Sequence, residues 1–277
     1  MAKSLIPAQR HQRIQTFLEQ HRVARNDELG RLLRVSEATV RRDLETLESR
    51  GWLERTHGGA VLTRRLPHEP VYAQSASLYP AEKRAIGRAA AALVRDGDTV
   101  FLNSGTTTTE VMRHLAQRSD LTHLTLVTTN VSATLEARHP GFDVLLLGGV
   151  FRPQSNAVVG SFARRALNQI YATKSFIGVD GINVRAGFTT PISAEAEVAR
   201  LMVERTRGQV IIVADHSKWG VVSNFEIATL KQVGTLVTDS RLPRRARTDL
   251  RAASIRLVLA HVEEGPNGHE PPRARTE

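Results

Sequence analysis

The feature that most constrains the fold is a series of short apolar segments that alternate with amphipathic ones between residues 99 and 260. Segments such as Val210-Ile211-Ile212-Val213 lack polar alternation, which is typical of strands buried on both faces. Strands are predicted at 99–103, 124–128, 143–147, 174–179, 209–214, 235–238 and 256–260, and helices at 107–117, 131–137, 161–170 and 194–206. This alternation predicts an α/β domain with a mostly parallel, doubly wound sheet.

A second pattern, SEATVRRDLETLESRG, spans Ser36 to Gly51. Ser36 is a good N-cap, Val40, Leu44 and Leu47 form an apolar stripe, and Gly51 ends the helix. The opposite face and its flanks carry small, hydroxylated and basic residues near the helix start: Ala38, Thr39, Arg41 and Arg42. Such a helix suits the major groove of DNA. Taken alone, such a helix is more often an amphipathic surface helix with solvated arginines.

The neighbouring segments favour the DNA-binding interpretation. Apolar residues at helical spacing predict a helix over 7–21 and another from Asn26, with a tight turn before Ser36. After Gly51, two short extended runs flank a Gly-Gly turn, which predicts a hairpin. Three helices and a hairpin make a winged helix-turn-helix. Its wing would bring Arg55 and His57 to phosphate or the minor groove, although a solvated loop tip is an equally good interpretation of both residues.

Charge and composition limit the possible partners. The net charge is +10, and residues 1–65 hold thirteen Lys or Arg against eight Asp or Glu, which suggests nucleic acid, an anionic membrane surface or phosphorylated ligands. The chain has no cysteine, and no His, Asp or Glu group has metal-ligand spacing, so we expect neither a metal nor a cofactor. No secretory signal and no apolar run of about 18 residues is found, so we expect a cytoplasmic protein without a membrane span.

Composition also predicts how the chain is divided. Residues 1–62 form the predicted winged helix-turn-helix domain, and 81–262 form the α/β domain. Between them, 63–80 hold three prolines and no sustained period, which predicts a linker. The polar, Pro- and Gly-rich stretch 263–277 is predicted to be a disordered tail.

Candidate ligand residues follow the strands of the α/β domain, because ligands bind beyond the carboxyl ends of strands in open α/β sheets. The signatures after five strands are Ser104-Gly105-Thr106-Thr107-Thr108, Thr128-Thr129-Asn130, Gly148-Gly149, Asp180-Gly181 and Asp215-His216-Ser217-Lys218. The first of these can hold a phosphate at a helix N-terminus, although it also fits an ordinary helix start. The coincidence of five signatures on one edge is more specific than any one of them.

Charged residues at this edge have candidate roles. Lys218 is placed to neutralise a phosphate, and Asp215 to orient it or accept a hydroxyl proton. Glu195 or Glu197 could face the pocket, while favourable placement at a helix start explains both equally. For His216 we favour a satisfied surface residue over a ligand contact.

Taken together, these motifs resemble the DeoR-type bacterial transcriptional regulators over essentially residues 8 to 262. The resemblance is carried by VSEATVRRDLETLESRGWLERTHGGA (35–60), NSGTTTTE (103–110), VTTN (127–130), LLGGVFR (146–152), FIGVDGI (176–182), EAEV (195–198) and VADHSKWG (213–220). Departures are small: Asn103 stands where an Asp is common, and Trp219 where Phe or Tyr is common.

The resemblance implies an N-terminal domain that binds double-stranded operator DNA and an effector domain similar to sugar-phosphate isomerases. A phosphorylated sugar would relieve repression of sugar or nucleoside catabolic genes, and the protein would be a homodimer or homotetramer. The family's phosphate loop corresponds to Ser104–Thr108. Its other ligand positions correspond to Asn130, Gly149, Asp180, Glu195, Asp215 and Lys218.

An enzyme is the alternative from another class, namely a sugar-phosphate isomerase with a fused nucleic-acid module. Proton transfer between sugar carbons needs a positioned base. Asp180-Gly181-Ile182-Asn183 offers one acid where the isomerases have a run of acids, and Lys218 lacks their glycine-rich continuation. We therefore expect no catalytic residues.

Overall fold

A computed structural model describes residues 5–21, 23–49, 53–56, 58–62, 64–66 and 70–262. The helices are α1 (Pro7–His21), α2 (Asn26–Leu33), α3 (Glu37–Ser49), α4 (Tyr72–Ser77), α5 (Pro80–Ala91), α6 (Thr106–Leu115), α7 (Val131–Glu136), α8 (Ser161–Leu167), α9 (Ser193–Glu204) and α10 (Arg244–Ala252). The strands are β1 (Val23–Arg25), β2 (Leu53–Thr56), β3 (Gly59–Leu62), β4 (Arg64–Leu66), β5 (Thr99–Leu102), β6 (Leu124–Thr128), β7 (Phe142–Leu146), β8 (Val150–Arg152), β9 (Ala157–Val159), β10 (Ala172–Gly178), β11 (Gly181–Asn183), β12 (Gly187–Thr190), β13 (Thr206–Val213), β14 (Val221–Ser223), β15 (Phe225–Ala228), β16 (Thr235–Asp239) and β17 (Arg256–Ala260).

The first unit contains α1, α2 and α3 with an antiparallel sheet in the order β1-β3-β2. Its apolar side chains form a single core: Ile14, Leu18, Leu29, Leu33, Val40, Leu44, Leu47, Leu53 and Ala60. The N-cap of α3 is Ser36, whose Oγ accepts a hydrogen bond from the Thr39 backbone N–H at 3.3 Å. The helix-turn-helix and the hairpin are therefore present as predicted. Gly51 and His57 lie outside the described residues.

The second unit is organised by a seven-stranded sheet in the order β17-β16-β13-β10-β5-β6-β7. Every pair of neighbours in it is parallel. Alternate residues of each strand face opposite sides: Val100 and Leu102 pack with helices α5 and α6, while Phe101 between them packs toward α8 and α9. The predicted parallel, doubly wound α/β domain is confirmed, because both faces of the sheet are covered by helices.

The bounds of the seven strands lie within three residues of the predicted ones. Other elements were not predicted: the hairpin β8–β9, the antiparallel sheet β11-β12-β15, and α10. The antiparallel sheet lies beside the carboxyl ends of the parallel strands, where it helps to enclose the site. No helix in the described part of the chain is long and apolar enough to cross a bilayer.

The segment 63–80, predicted as a linker, contains two regular elements in its described part. Strand β4 pairs in parallel with β14, with Arg64 opposite Val221 and Leu66 opposite Ser223. Helix α4 follows, and Tyr72 donates its backbone N–H to the Gln154 carbonyl at 2.8 Å. Neither element is visible in the sequence, since three- and six-residue elements are too short to show a period. The domain limits themselves stay a prediction.

Candidate functional site

The candidate ligand site is a cleft where the order of the large sheet reverses, at the carboxyl ends of β5 and β10. The loops after these two strands diverge to opposite sides, and such a switch point is where ligands bind in open α/β sheets. The switch-point cleft is lined by residues 103–107 and 178–180, by Ser155, Thr190, Pro191, Glu195, Asp215, Ser217, Lys218 and Ile227, and by Lys83 with five residues of 70–79.

Asn103 joins the two strands at the point where they diverge. Its Nδ2 donates to the carbonyl of Gly178 at 2.9 Å, and its Oδ1 accepts from the N–H of Gly178 at 2.8 Å. A carboxylate could accept the second bond but not donate the first. Asn103 therefore joins the ends of β5 and β10 by a pair of hydrogen bonds, of which an ionised Asp could form only the second.

The loop 104–108 turns the chain from β5 into α6. Gly105 lies at φ +156°, which an L side chain rarely adopts, and its carbonyl accepts from Thr108 Oγ1 at 2.9 Å and from Asn130 Nδ2 at 3.0 Å. No side chain caps α6. The first backbone N–H groups of this helix therefore face the cleft with the positive end of the helix dipole, an arrangement suited to an anion.

Three of the proposed ligand positions do not line the cleft. Thr108 is fully buried and donates to the carbonyl of Asn103 at 2.8 Å. Asn130 is also fully buried and caps α7 by accepting from the Ala133 N–H. Gly149 lies against β9, where a Cβ would come within 2.4 Å of the Val159 carbonyl oxygen. Thr108 and Asn130 hold the loop 104–108 in place. Gly149 allows the close approach of the two strands in the β8–β9 hairpin.

Lys218 and Asp180 face each other across the cleft. Their Nζ and Oδ1 atoms are 3.8 Å apart, and Asp180 Oδ2 accepts from Thr190 Oγ1 at 2.9 Å. Both side chains are about one quarter exposed, at 24% and 27%. Because 3.8 Å is longer than a hydrogen bond, the Lys218 ammonium and the Asp180 carboxylate can each form a shorter hydrogen bond to a ligand.

Asp215 lines the cleft and also supports the turn that carries Lys218. Its Oδ1 accepts from the backbone N–H of Ser217 at 3.0 Å and so caps the short 3₁₀ turn that carries Lys218. The neighbouring His216 is held by the buried Asp239, through its backbone N–H at 2.7 Å and its ring Nδ1. His216 therefore has hydrogen-bond partners within the protein, as favoured from the sequence.

The structure distinguishes the two glutamates at the start of α9. Glu195 lines the cleft, where its Oε1 accepts from Ser155 Oγ at 2.6 Å and from Arg152 Nε at 3.2 Å. Glu197 points away and pairs with Arg164 at 2.9 Å. Glu195 is thus the glutamate that can contact a ligand.

Lys83 was missed by sequence reasoning. It is only 4% exposed, it lines the cleft, and its Nζ donates to the carbonyls of Ser75 (2.5 Å) and Leu78. Burial lowers the pKa of its ammonium, which Asp215 opposes and Lys218 reinforces. The signal was present in the sequence, because Lys83 shares helical spacing with the buried Ile86 and Ala90.

The chemistry of the cleft suits a polyol that carries an anionic group. Two ammonium groups and the N-terminus of α6 favour a phosphate, whereas the carboxylates of Asp180 and Glu195 can accept hydrogen bonds from hydroxyl groups. Among the described residues no group of three or more His, Cys, Asp or Glu is arranged to hold a metal ion.

The candidate nucleic-acid surface lies on α3. Ser36, Ala38, Arg41 and Arg42 are exposed and Thr39 is half-buried, opposite the fully covered stripe of Val40, Leu44 and Leu47. The Arg41 guanidinium lies 3.5 Å from the Glu37 carboxylate, and both side chains are exposed. Such an exposed ion pair is weak, so a DNA phosphate or base can replace Glu37 as the partner of Arg41. The predicted base-reading residues therefore share one accessible face.

Two polar contacts hold this helix in place. Asp43, in the middle of α3, is 4% exposed and accepts from Arg10 Nε at 2.7 Å and Arg10 Nη2 at 3.0 Å. From the hairpin, Arg55 Nη1 donates to Glu45 Oε1 at 2.7 Å. Sequence reasoning missed the role of Asp43, which orients α3 against α1.

A direct contact also joins the two units. Arg185, in the turn between β11 and β12, donates to Glu48 of α3 at 2.8 Å. This contact lies in a second cleft, between the two units, which is also lined by Arg41, Arg55 and Arg245. The basic face of the first unit therefore continues onto the second.

A winged helix-turn-helix with an exposed basic helix, followed by an α/β domain with a switch-point cleft, defines a DNA-binding transcriptional regulator with a sensing domain. The family models agree: residues 10–65 match the DeoR-like helix-turn-helix domain and residues 79–240 match the DeoR C-terminal sensor domain. The chain belongs to the DeoR family.

Curated relatives match along nearly their whole length. The chain is 33% identical to the HTH-type transcriptional regulator GlpR of Haloferax volcanii, over 92% of this chain and 98% of the relative. It is 34% identical to the HTH-type transcriptional repressor GlcR of Bacillus subtilis, over 90% and 95%. It is 33% identical to a putative aga operon transcriptional repressor of Escherichia coli O157:H7, over 90% and 92%. All three are named as regulators of transcription.

Among solved structures, ribose 5-phosphate isomerase A of Methanocaldococcus jannaschii aligns with a TM-score of 0.37 and 17% identity. The alignment covers 50% of this chain and 53% of the isomerase.

Proposed function

We propose that this DeoR-family protein represses carbohydrate catabolic genes and leaves its operator when a phosphorylated sugar occupies the switch-point cleft. The observation that carries the proposal is the combination, in one cleft, of the uncapped N-terminus of α6, the Lys218 ammonium and the carboxylates of Asp180 and Glu195. The first two favour a phosphate and the last two favour hydroxyl groups.

The pose of the ligand follows from these positions. The phosphate binds at residues 104–107, whose backbone N–H groups and hydroxyls surround the start of α6, with Lys218 as its cation. The sugar hydroxyls lie toward Asp180 and Glu195. Asp215 acts through the turn that it caps, and Asn130 and Thr108 act through the loop that they support.

On the DNA side, Ala38, Thr39, Arg41 and Arg42 enter the major groove and Ser36 contacts the backbone at the helix start. Arg55 and His57 of the wing contact phosphate or the minor groove. A homodimer or homotetramer supplies two such helices, which must be about 34 Å apart to reach successive major grooves.

Release requires the ligand to bind one arrangement of the domains more tightly than the other. The names of relatives as repressors, one of them of the aga operon, support this direction of regulation.

The test is a thermal-shift screen of the purified full chain against pentose and hexose monophosphates, followed by gel-shift titration of its own promoter DNA at two salt concentrations. We expect at least one sugar phosphate to raise Tm, and salt-sensitive, sequence-preferring DNA binding that this compound weakens. Absence of a DNA shift would overturn the repressor proposal. Isomerisation of ribose 5-phosphate at useful rates would favour the enzyme alternative instead.

A further inference from the structure

The cleft between the two units is lined by basic side chains from both of them, and we call it the interdomain cleft. Arg41 and Arg55 line it from the first unit, and Arg185 and Arg245 line it from the second. Among its described lining residues, Glu48 alone carries a carboxylate against these four arginines. The excess of positive charge favours a polyanion as the partner of this surface.

Arg185 lies in a turn between β11 and β12 that is held by hydrogen bonds. The Oδ1 of Asn183 accepts from the backbone N–H groups of Arg185 at 2.8 Å and of Ala186 at 3.0 Å. The Arg185 guanidinium donates to Glu48, which also accepts from the backbone N–H of Arg55 at 3.0 Å. Since the Arg185 side chain is still 65% exposed, it is positioned beside α3 and the hairpin with donors left for another acceptor.

Arg245 lies in the first turn of α10 and faces the interdomain cleft from the other side of the sensor domain surface. Its Nε is 3.8 Å from the Asp249 carboxylate, and its side chain is 53% exposed. This separation is longer than a hydrogen bond, and exposed ion pairs are weak. The Arg245 guanidinium can therefore bind an anion with little loss.

Asn26 places a buried amide at the same cleft. It is only 8% exposed, and its Oδ1 has no hydrogen-bond partner. Its backbone N–H donates to the Gly58 carbonyl at 2.8 Å, which fixes the start of α2 against the hairpin turn. A buried amide without a partner is unusual, and a half-turn of the amide presents its donor in place of its acceptor. Asn26 can thus donate to a phosphate oxygen that enters the cleft.

The backbone of double-stranded DNA is the polyanion that fits this position. Arg41 and Arg55 are proposed DNA contacts of α3 and the wing, and both line the interdomain cleft. DNA that reaches these two side chains brings its closely spaced phosphates to Arg185 and Arg245 as well. The planar fork of a guanidinium matches a phosphate, which suits arginine for this contact.

We infer that Arg185 and Arg245 bind phosphates of the operator, so that the sensor domain is itself part of the DNA-binding surface. The inference rests on the proposed function, because it takes the DNA to be the operator held by α3. It adds contacts from the second domain that supply affinity without sequence information.

The experiment is a gel-shift titration of the full chain on its own promoter DNA and on unrelated DNA, over a series of salt concentrations. It compares the wild type with Arg185→Ala, Arg245→Ala and, as the control, Arg251→Ala from an exposed position near the end of α10. We expect each of the first two variants to reduce the slope of log K against log salt by about 0.9, and to weaken both DNAs by about five- to tenfold at ~0.1 M salt. Arg251→Ala should keep the wild-type slope.

Glu48→Gln separates phosphate binding from a purely structural role of Arg185. The amide keeps an acceptor for the backbone N–H of Arg55 but removes the negative charge beside Arg185. We therefore expect Glu48→Gln to bind DNA at least as tightly as the wild type. Weaker binding by Glu48→Gln and Arg185→Ala alike, at an unchanged salt slope, would show that this pair only joins the domains, and would overturn the inference.

The outcomes also distinguish the inference from the proposed function. Wild-type salt slopes in both Arg185→Ala and Arg245→Ala overturn the inference while the repressor proposal stands. Absence of a DNA shift by the wild type removes both together. Because both arginines are exposed, the Tm of each variant should equal that of the wild type, which excludes misfolding as the cause of weaker binding.

Discussion

At the scale of single residues, the buried carboxylate of Asp43 joins α3 to α1 through Arg10 and His11. Helical spacing alone separates the apolar stripe of α3 from its exposed face, and Arg41 and Arg42 are on the exposed side. Asp43 falls on the buried side, where a charge must be paired. The two preceding arginines, Arg41 and Arg42, therefore contact the solvent, whereas Asp43 stabilises the packing of α3 on α1.

We predict that Asp43→Ala destabilises the DNA-binding domain by about 3 kcal/mol, because it leaves the Arg10 guanidinium buried without its partner. Hydrogen exchange of the α1 and α3 amides measures this loss. The control is Glu45→Ala, whose exposed pair with Arg55 should contribute less than about 1 kcal/mol. Equal protection in the two variants would contradict the assigned role of Asp43.

Under the proposed function, ligand affinity depends most directly on Lys218. We predict that Lys218→Ala keeps operator binding but binds sugar phosphate about tenfold or more weakly, because a hydrogen bond to a charged group is lost. Operator release measured against ligand concentration checks this, with Lys231→Ala as the exposed-lysine control. A normal response of Lys218→Ala would refute its assignment to the phosphate.

The hydrogen bonds of Asp96 make part of the stability of the fold depend on pH. The backbone N–H of His123, and then that of Thr122, donate to its carboxylate at 2.7 Å and hold its pKa at about 2, below the ordinary 3.8. Since the folded pKa is depressed, the resulting stabilisation is present above pH 3.8 and is lost as the pH falls through 2.

An NMR titration of the Asp96 carboxyl carbon should therefore have its midpoint near 2, and Thr122→Val should raise that midpoint by removing the hydroxyl that also donates to Asp96. A wild-type midpoint at the ordinary value would show that these hydrogen bonds do not form in solution.

At the scale of elements, α3 places core side chains on one face and the proposed DNA contacts on the other. We predict that Arg42→Ala or Arg41→Ala weakens operator binding by about 1–3 kcal/mol when the arginine contacts a base, with the fold intact. A gel-shift titration measures this. Arg251→Ala removes the same charge from an exposed position on α10 and should leave the affinity nearly unchanged. Unchanged binding in both α3 variants would rule these arginines out as contacts.

The parallel strands and the helices between them could be predicted because they are long enough to show a pattern. Residues 210–213 are apolar throughout, since the strand they belong to is covered by helices on both sides. Ser104, Asp180 and Lys218 each follow a predicted strand, and the parallel sheet brings all three to one cleft because its carboxyl ends share an edge.

Shorter elements could not be predicted in this way. Strand β4 has three residues and α4 has six, so neither shows a period, and their positions depend on β14 and on the cleft rather than on local propensity. Lys83 was overlooked because a lysine in an amphipathic helix is usually solvated. Its helical spacing with Ile86 and Ala90 indicates a buried position, and the structure shows that residues 75 and 78 cover its ammonium.

At the scale of the whole molecule, the two domains are joined by more than a flexible chain. The β4–β14 pairing fixes the segment between the domains, and the Arg185–Glu48 ion pair connects the sensor domain directly to α3. A change at the switch-point cleft therefore has a physical route to α3. In a homodimer or homotetramer, a small rotation of each first domain would change the spacing of the two recognition helices.

The most direct test of the proposed coupling between the two domains is the reciprocity of ligand and operator binding. The Kd of the full chain for its operator is measured with and without a saturating sugar phosphate, and the Kd for the sugar phosphate with and without saturating operator. We predict that each ligand weakens the other by the same factor, about 5- to 150-fold for a typical coupling free energy. If operator and sugar phosphate both bind, and neither changes the Kd of the other, the two sites are not coupled and the proposed release mechanism is wrong.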